Sequence, residues 1–201
     1  MKKLVLFLSL SLFSFLANAT ELVSLIQTYQ ADRGALGRLY TNRLSGEYFT
    51  RMESFNRDYL KTLNAQNYGA LSEDGKIDYV LFRNYLEKQL AELDLEKRDF
   101  MQIQSVIAFG KPLESFVVSR RRAVQPDAQA LAAQWNQVAQ ALDAQHKALA
   151  TSSKYDSWQK AELAAQAVES LSKVVKESYD FYFDFDPSFT WWMPTPWGKL
   201  D

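Results

Sequence analysis

Apolar residues return every three or four positions through most of this chain, and that spacing restricts it to packed amphipathic helices. Leu22, Leu25, Ile26 and Tyr29 set the pattern in a first helix over Glu21–Tyr40, which Gly34 and Gly37 weaken towards its end. Tyr48, Phe49, Met52, Phe55, Tyr59, Leu60 and Leu63 form a second stripe. Tyr79, Phe82, Leu86, Leu90 and Leu93 form the third and longest, widened by Ile77, Leu81 and Tyr85, on a helix from about Ile77 to Met101. Leu131, Trp135, Val138, Leu142 and Leu149 are spaced like a coiled-coil seam. Trp158, Ala161, Ala165, Val168, Leu171, Val175 and Tyr182 line a last helix that runs to about Phe183. The expectation is an all-α fold, an up-and-down helical bundle with an extended aromatic carboxy-terminal tail.

Local signals mark the boundaries. Ser45 is placed to cap the second helix, and Ser72 or Asp74 the third. Gly110-Lys111-Pro112 breaks the chain, Pro126 and Asp127 start another helix, and Asp186-Pro187 ends the last one. Asp156, followed by Gln159, reads as a capping box. No repeat or linker divides the pattern, so residues 20–201 are read as one helical domain.

Residues 1–19 have the composition of a secretory signal peptide. Lys2 and Lys3 precede the apolar run Leu4–Leu16, and Ala17-Asn18-Ala19 supplies a small-residue cleavage site. The expected address is therefore the periplasm or the exterior, with no membrane attachment after signal cleavage. The chain has no cysteine, so neither a disulfide nor a lipid-modified cysteine is available. With 23 basic and 24 acidic residues its formal net charge is −1, which offers nucleic acid no electrostatic attraction.

Catalytic signatures are sparse. His146 is the single histidine, so a zinc motif with two histidines one helical turn apart cannot be assembled. It lies at the edge of the apolar seam and reads as a packed or surface side chain. Asp180, Asp184 and Asp186 could form a carboxylate pair or calcium site, but without a glycine-turned loop they read as solvated or capping residues. Arg120-Arg121-Arg122 reads as a solvated helix end, and the charges between Glu87 and Arg98 as a solvated face laced with ion pairs.

The last stretch holds what chemistry there is. Between Tyr179 and Asp201 lie Tyr179, Phe181, Tyr182, Phe183, Phe185, Phe189, Trp191, Trp192 and Trp197, interspersed with prolines. Rings in that density are either buried or bind a partner. Pro194 and Pro196 are expected to keep the end extended, anchored poorly beyond Met193, as though the segment led into further structure. Trp191, Trp192 and Trp197 are accordingly the candidate ligand-binding or interdomain contacts. Stacked on a sugar or peptide of the cell envelope, they would make the chain a binding module. A carboxylate enzyme is a third reading that no motif supports.

Two segments carry a resemblance. Asp74–Glu87 (DGKIDYVLFRNYLE) resembles the helix "idydlLrnqLe", and Tyr182–Trp197 (YFDFDPSFTWWMPTPW) resembles the segment "YDPxFTWWxxxPY", of the bacterial family called domain of unknown function 885. Trp197 stands where the family usually has tyrosine. Members are secreted or periplasmic, nearly all helical and longer, with a His-Glu-x-x-x-Gly-His-His motif in the carboxy-terminal half. The resemblance implies the amino-terminal part of a larger metallopeptidase-like protein, a non-catalytic lobe that packs against a catalytic half and borders a peptide-substrate cleft. No cofactor is implied for this chain, zinc belonging to the whole family, and no position here matches the family's metal ligands or catalytic glutamate.

Overall fold

A computed structural model of the chain describes residues 22–151 and 158–200. The signal-peptide reading and the Asp156 cap lie outside the described residues. Among those residues the fold is all-α, with no strand. Helix α1 covers 22–39, passing through both Gly34 and Gly37. It is followed by α2 (Gly46–Asn64), α3 (Glu73–Ile103), α4 (Lys111–Arg121), α5 (Ala128–Thr151), α6 (Trp158–Phe183), α7 (Pro187–Trp192) and α8 (Pro194–Trp197). Short 3-10 turns precede α3 and α4, at Tyr68–Ala70 and Ala108–Gly110. The described residues group into two compact units, one up to Gly37 with Thr50–Leu95, the other Arg38–Phe49 with those from Glu96 onward.

The first unit is organised around Tyr29. Leu22 and Tyr29, seven residues apart, place two buried side chains on one face of α1. The Tyr29 ring stacks on Phe55 at 5.0 Å and meets Tyr59, Phe82 and Tyr85 edge-on at 5.1–5.8 Å. Its hydroxyl donates to Asn56 Oδ1 at 2.9 Å, and Asn56 Nδ2 donates to the Met52 carbonyl, so this buried polar pair is satisfied. Burial, with Tyr85 alongside, pushes the Tyr29 phenol far above its ordinary value and keeps it a donor. Arg33 donates to Tyr85 Oη and Gln89 Oε1 at the surface, which fastens α1 to α3.

Helix α3 begins as expected, with Ser72 Oγ accepting from the Gly75 amide. Phe82, Leu86 and Leu93 are buried, and Arg83–Glu87 and Lys88–Glu92 form exposed one-turn ion pairs. Ile77 and Leu81 do not widen the stripe as expected. They are 57% and 61% exposed, because Leu81 lies about 100° around the helix from Phe82 and Ile77 lies on the face opposite Leu86.

The second unit is built on Trp135, which is fully buried. Phe116 meets its ring edge-on at 5.3 Å, and Trp197 and Tyr179 lie at 6.0 and 6.5 Å. Leu113, Val117, Val138, Val174 and Val175 fill the surroundings. Val138 of the expected seam is also buried, while Leu131 and Leu142 are half-buried. Helix α4 closes with Ala123 at φ 56°, the position where a glycine is usual, and the Ala123 and Val124 amides donate to the Arg120 and Ser119 carbonyls. Asp127 caps α5 by accepting from the Ala130 amide, so Pro126 sits before the cap and not inside the first turn.

One sequence expectation holds only in part in this unit and another fails. The buried face of α6 is Ala164, Ala167, Leu171, Val174, Val175, Ser178, Tyr179 and Tyr182, so Leu171, Val175 and Tyr182 of the expected stripe are buried, whereas Trp158 and Ala165 are exposed, Val168 is 39% exposed and Ala161 is half-buried. The second correction concerns the carboxy-terminal aromatic tail, which is folded into α7 and α8 and does not run extended. Each of these helices has a proline in its first turn, where the missing N–H costs nothing and the fixed φ suits the helix.

The enclosure of Trp135 sets a measurable cost. Trp135→Ala is expected to lower unfolding stability by about 3–5 kcal/mol. A loss below about 0.5 kcal/mol in denaturant titration, the scale of surface substitutions, would place the ring elsewhere.

Candidate site at the carboxy-terminal aromatic face

The segment after α6 is double-sided. Asp186 ends the turn and caps α7, its Oδ1 accepting from the Ser188 and Phe189 amides at 2.9 and 3.1 Å, while Gln125 Nε2 donates to Oδ2. That geometry turns Phe189 and Met193 inward, and both are fully buried. Phe189 stacks on Phe116 at 6.0 Å and lies 5.4 Å from Tyr179. In α8, Pro196 is buried and Trp197 stacks on Tyr179 at 4.6 Å, nearly parallel. Lys199 Nζ donates to Asn136 Oδ1 at 2.6 Å, and Leu200 packs on the same core. The stretch beyond Met193 is therefore anchored, contrary to expectation.

The three candidate tryptophans consequently separate. Trp197 is half-buried and packs against the core, whereas Trp191 is 80% exposed and Trp192 41%. Phe185, 79% exposed, lies 6.4 Å from Phe181, itself 54% exposed. The Arg120 guanidinium sits 5.0 Å over the Phe181 ring, and its Nε donates to the buried Ser178 Oγ. Arg122 reaches Tyr40 Oη and Glu47, so two of the three consecutive arginines tie elements together instead of ending a solvated helix. Asp180 pairs with Lys176 at 2.7 Å and Asp186 caps, so the aspartates serve separate purposes.

A second polar cluster had no sequence signal. Asn42, buried, donates to Glu114 Oε1 at 3.3 Å and accepts from the Leu44 amide and Ser170 Oγ. Burial, reinforced by Glu47 and offset by Lys111, pushes Glu114 up to about 7. No pattern in the sequence places residues 40–47 over the first turn of α4, and both the burial and the proximity of Glu47 follow from that placement.

Zinc, which only the family resemblance implies, does not fit this donor set. His146 is the single histidine and is exposed on α5, and among the described residues no three His, Cys, Asp or Glu side chains converge. Among the described residues no helix is long and apolar enough to cross a membrane. Comparisons with protein-family models, curated proteins and solved structures return no match to this chain.

Two outcomes are expected. With each tryptophan present singly, acrylamide should quench Trp191 most, Trp192 less, and Trp197 and Trp135 least. Equal protection of Trp191 and Trp135 would contradict the double-sided segment. For Glu114, the folded state holds the proton more tightly than the unfolded chain, so its contribution to stability is present at low pH and lost as pH rises from near 4.5 to about 7. Urea midpoints of Glu114→Gln should lack that loss relative to the wild type. Parallel pH profiles would assign Glu114 an ordinary carboxyl.

Proposed function

We propose that this chain is a non-catalytic helical scaffold lobe of an exported, zinc-metallopeptidase-like protein related to the domain of unknown function 885 family. Its outward aromatic rings pack against the carboxy-terminal, metal-binding half that the resemblance implies. The observation that carries the reading is the surplus of exposed rings on a segment whose other side is fully packed. Phe185 and Trp191 keep most of their surface in water although Phe189 and Met193, in the same turns, keep none. Apolar surface of that kind marks an interaction site. The sequence Asp186-Pro187-Ser188-Phe189-Thr190-Trp191-Trp192 supports the family assignment, and the apolar start of the chain supports export to the periplasm or beyond.

The chain alone is expected neither to hydrolyse peptides nor to bind zinc stoichiometrically. A carboxy-terminal half of the family, supplied in trans, should shift the emission of a Trp191-only variant to the blue and shield it from acrylamide. Hydrolysis by the chain alone, a tight one-to-one zinc titration, or unchanged emission on mixing each counts against the proposal. The exposure of Trp191 and Trp192 on adjacent positions of α7 also favours a second reading, a stacking platform for an envelope sugar or peptide. Shielding by an oligosaccharide or short peptide, but not by the protein half, would select it.

A further inference from the structure

Along the amino-terminal half of α6 the described residues leave apolar side chains partly uncovered. Its buried row passes through Ala164, Ala167 and Leu171, which leaves Ala161, Ala165 and Val168 along an open groove of about 450 Å³. Leu142 of α5 and Val106, Ile107 and Phe109 of the turn before α4 complete the apolar lining. Two close approaches account for the space. At Gly110 the backbone comes so near α6 that an added Cβ would lie 2.5 Å from Leu171 Cδ2. Gln145 Nε2 donates to the Val106 carbonyl at 2.7 Å, which holds the turn against α5. Alanine at 161, 164 and 165 is too short to fill what lies between these two ties.

The volume and the apolar lining are those of a small-molecule site, in which a few polar groups decide orientation. Of the three polar lining residues, Gln145 is occupied by its bond to Val106, leaving His146 and Glu169. Glu169 is the one formal charge among the lining residues, and it is negative. We propose that the groove binds a small apolar amine, a body of one or two rings against Ala165 and Val168, with its ammonium group donating to the Glu169 carboxylate. An anion of the same shape would meet the carboxylate without a compensating cation in the lining. The site shares no residue with the aromatic face and does not depend on its function.

The test is a fluorescence titration of the full chain with 1-naphthylmethylamine, compared with 1-naphthylacetate, which has the same apolar body and the opposite charge. Saturable one-to-one binding of the amine is expected, about fivefold tighter than the carboxylate, the scale of one exposed charge pair. Ala165→Phe, which fills the groove from an exposed position, should weaken the amine by about tenfold or more with unchanged circular dichroism. Glu169→Gln should abolish the preference for amine over carboxylate. Should Ala165→Phe fail to fold, Val168→Lys places a cation on the wall and is expected to weaken the amine in the same way. Absence of saturable amine binding, or binding indifferent to the groove variants, overturns the site. Equal affinity for the two probes overturns the amine assignment.

Discussion

A fully enclosed indole needs atoms on every side, and in the second unit that requirement falls on Trp135. The elements that enclose it come from distant parts of the chain: Phe116 from α4, Tyr179 from α6 and Trp197 from α8. Van der Waals contacts are individually small, and only their sum offsets the entropy of fixing so many side chains. Among the described residues the buried Trp135 indole N–H has no hydrogen-bond partner. Tyr29 solves the corresponding problem in the first unit differently, since its hydroxyl finds Asn56 and its ring four aromatic neighbours.

Helix existence was legible because burial repeats with the helical period, and the end of α6 at Phe183 was legible from Asp186-Pro187. The phase of a stripe was less so. Along α6 alanine occupies both 161/165 and 164/167, so hydrophobicity alone does not choose between rows about 100° apart; the packing of Ala164 and Ala167 with Ile103, and of Leu171 beside Gly110, sets the phase. The prolines misled for a related reason. Proline disfavours helix in the residue before it and suits the first turn of a helix that follows; Pro187 does both, after α6 and at the start of α7, whereas Pro194 opens α8 where an extended tail was expected. Among Trp191, Trp192 and Trp197, no local property tells which ring faces the core, because that depends on where α8 brings Trp197 against Tyr179.

Polar chemistry was the least legible part. The Glu114 cluster joins residues 42, 114 and 170, whose sequence separations are too large for any spacing rule. Its carboxyl is displaced because the fold removes water and places Glu47 nearby, and neither cause has a signature in the residues around it. Local ion pairs on α3 were foreseeable for the opposite reason, since Arg83–Glu87 and Lys88–Glu92 lie one helical turn apart.

The arginine cluster shows how packing reassigns a motif. Three consecutive cations on a helix point in three directions about 100° apart, so they cannot all share one ligand. Arg120 turns towards α6, where it supplies the donor that the fully buried Ser178 Oγ accepts while that hydroxyl donates to the Val174 carbonyl. Desolvation there lowers the affinity of Arg120 for its proton, and the neighbouring Phe181 face offsets part of the cost of holding the charge among rings. Arg122 turns instead to Tyr40 and Glu47, which joins the segment before α2 to the end of α4. A run that would suit a phosphate if its side chains converged is thereby divided between two structural ties, and the rings of Phe185 and Trp191 are the most exposed apolar surface at that end of the unit.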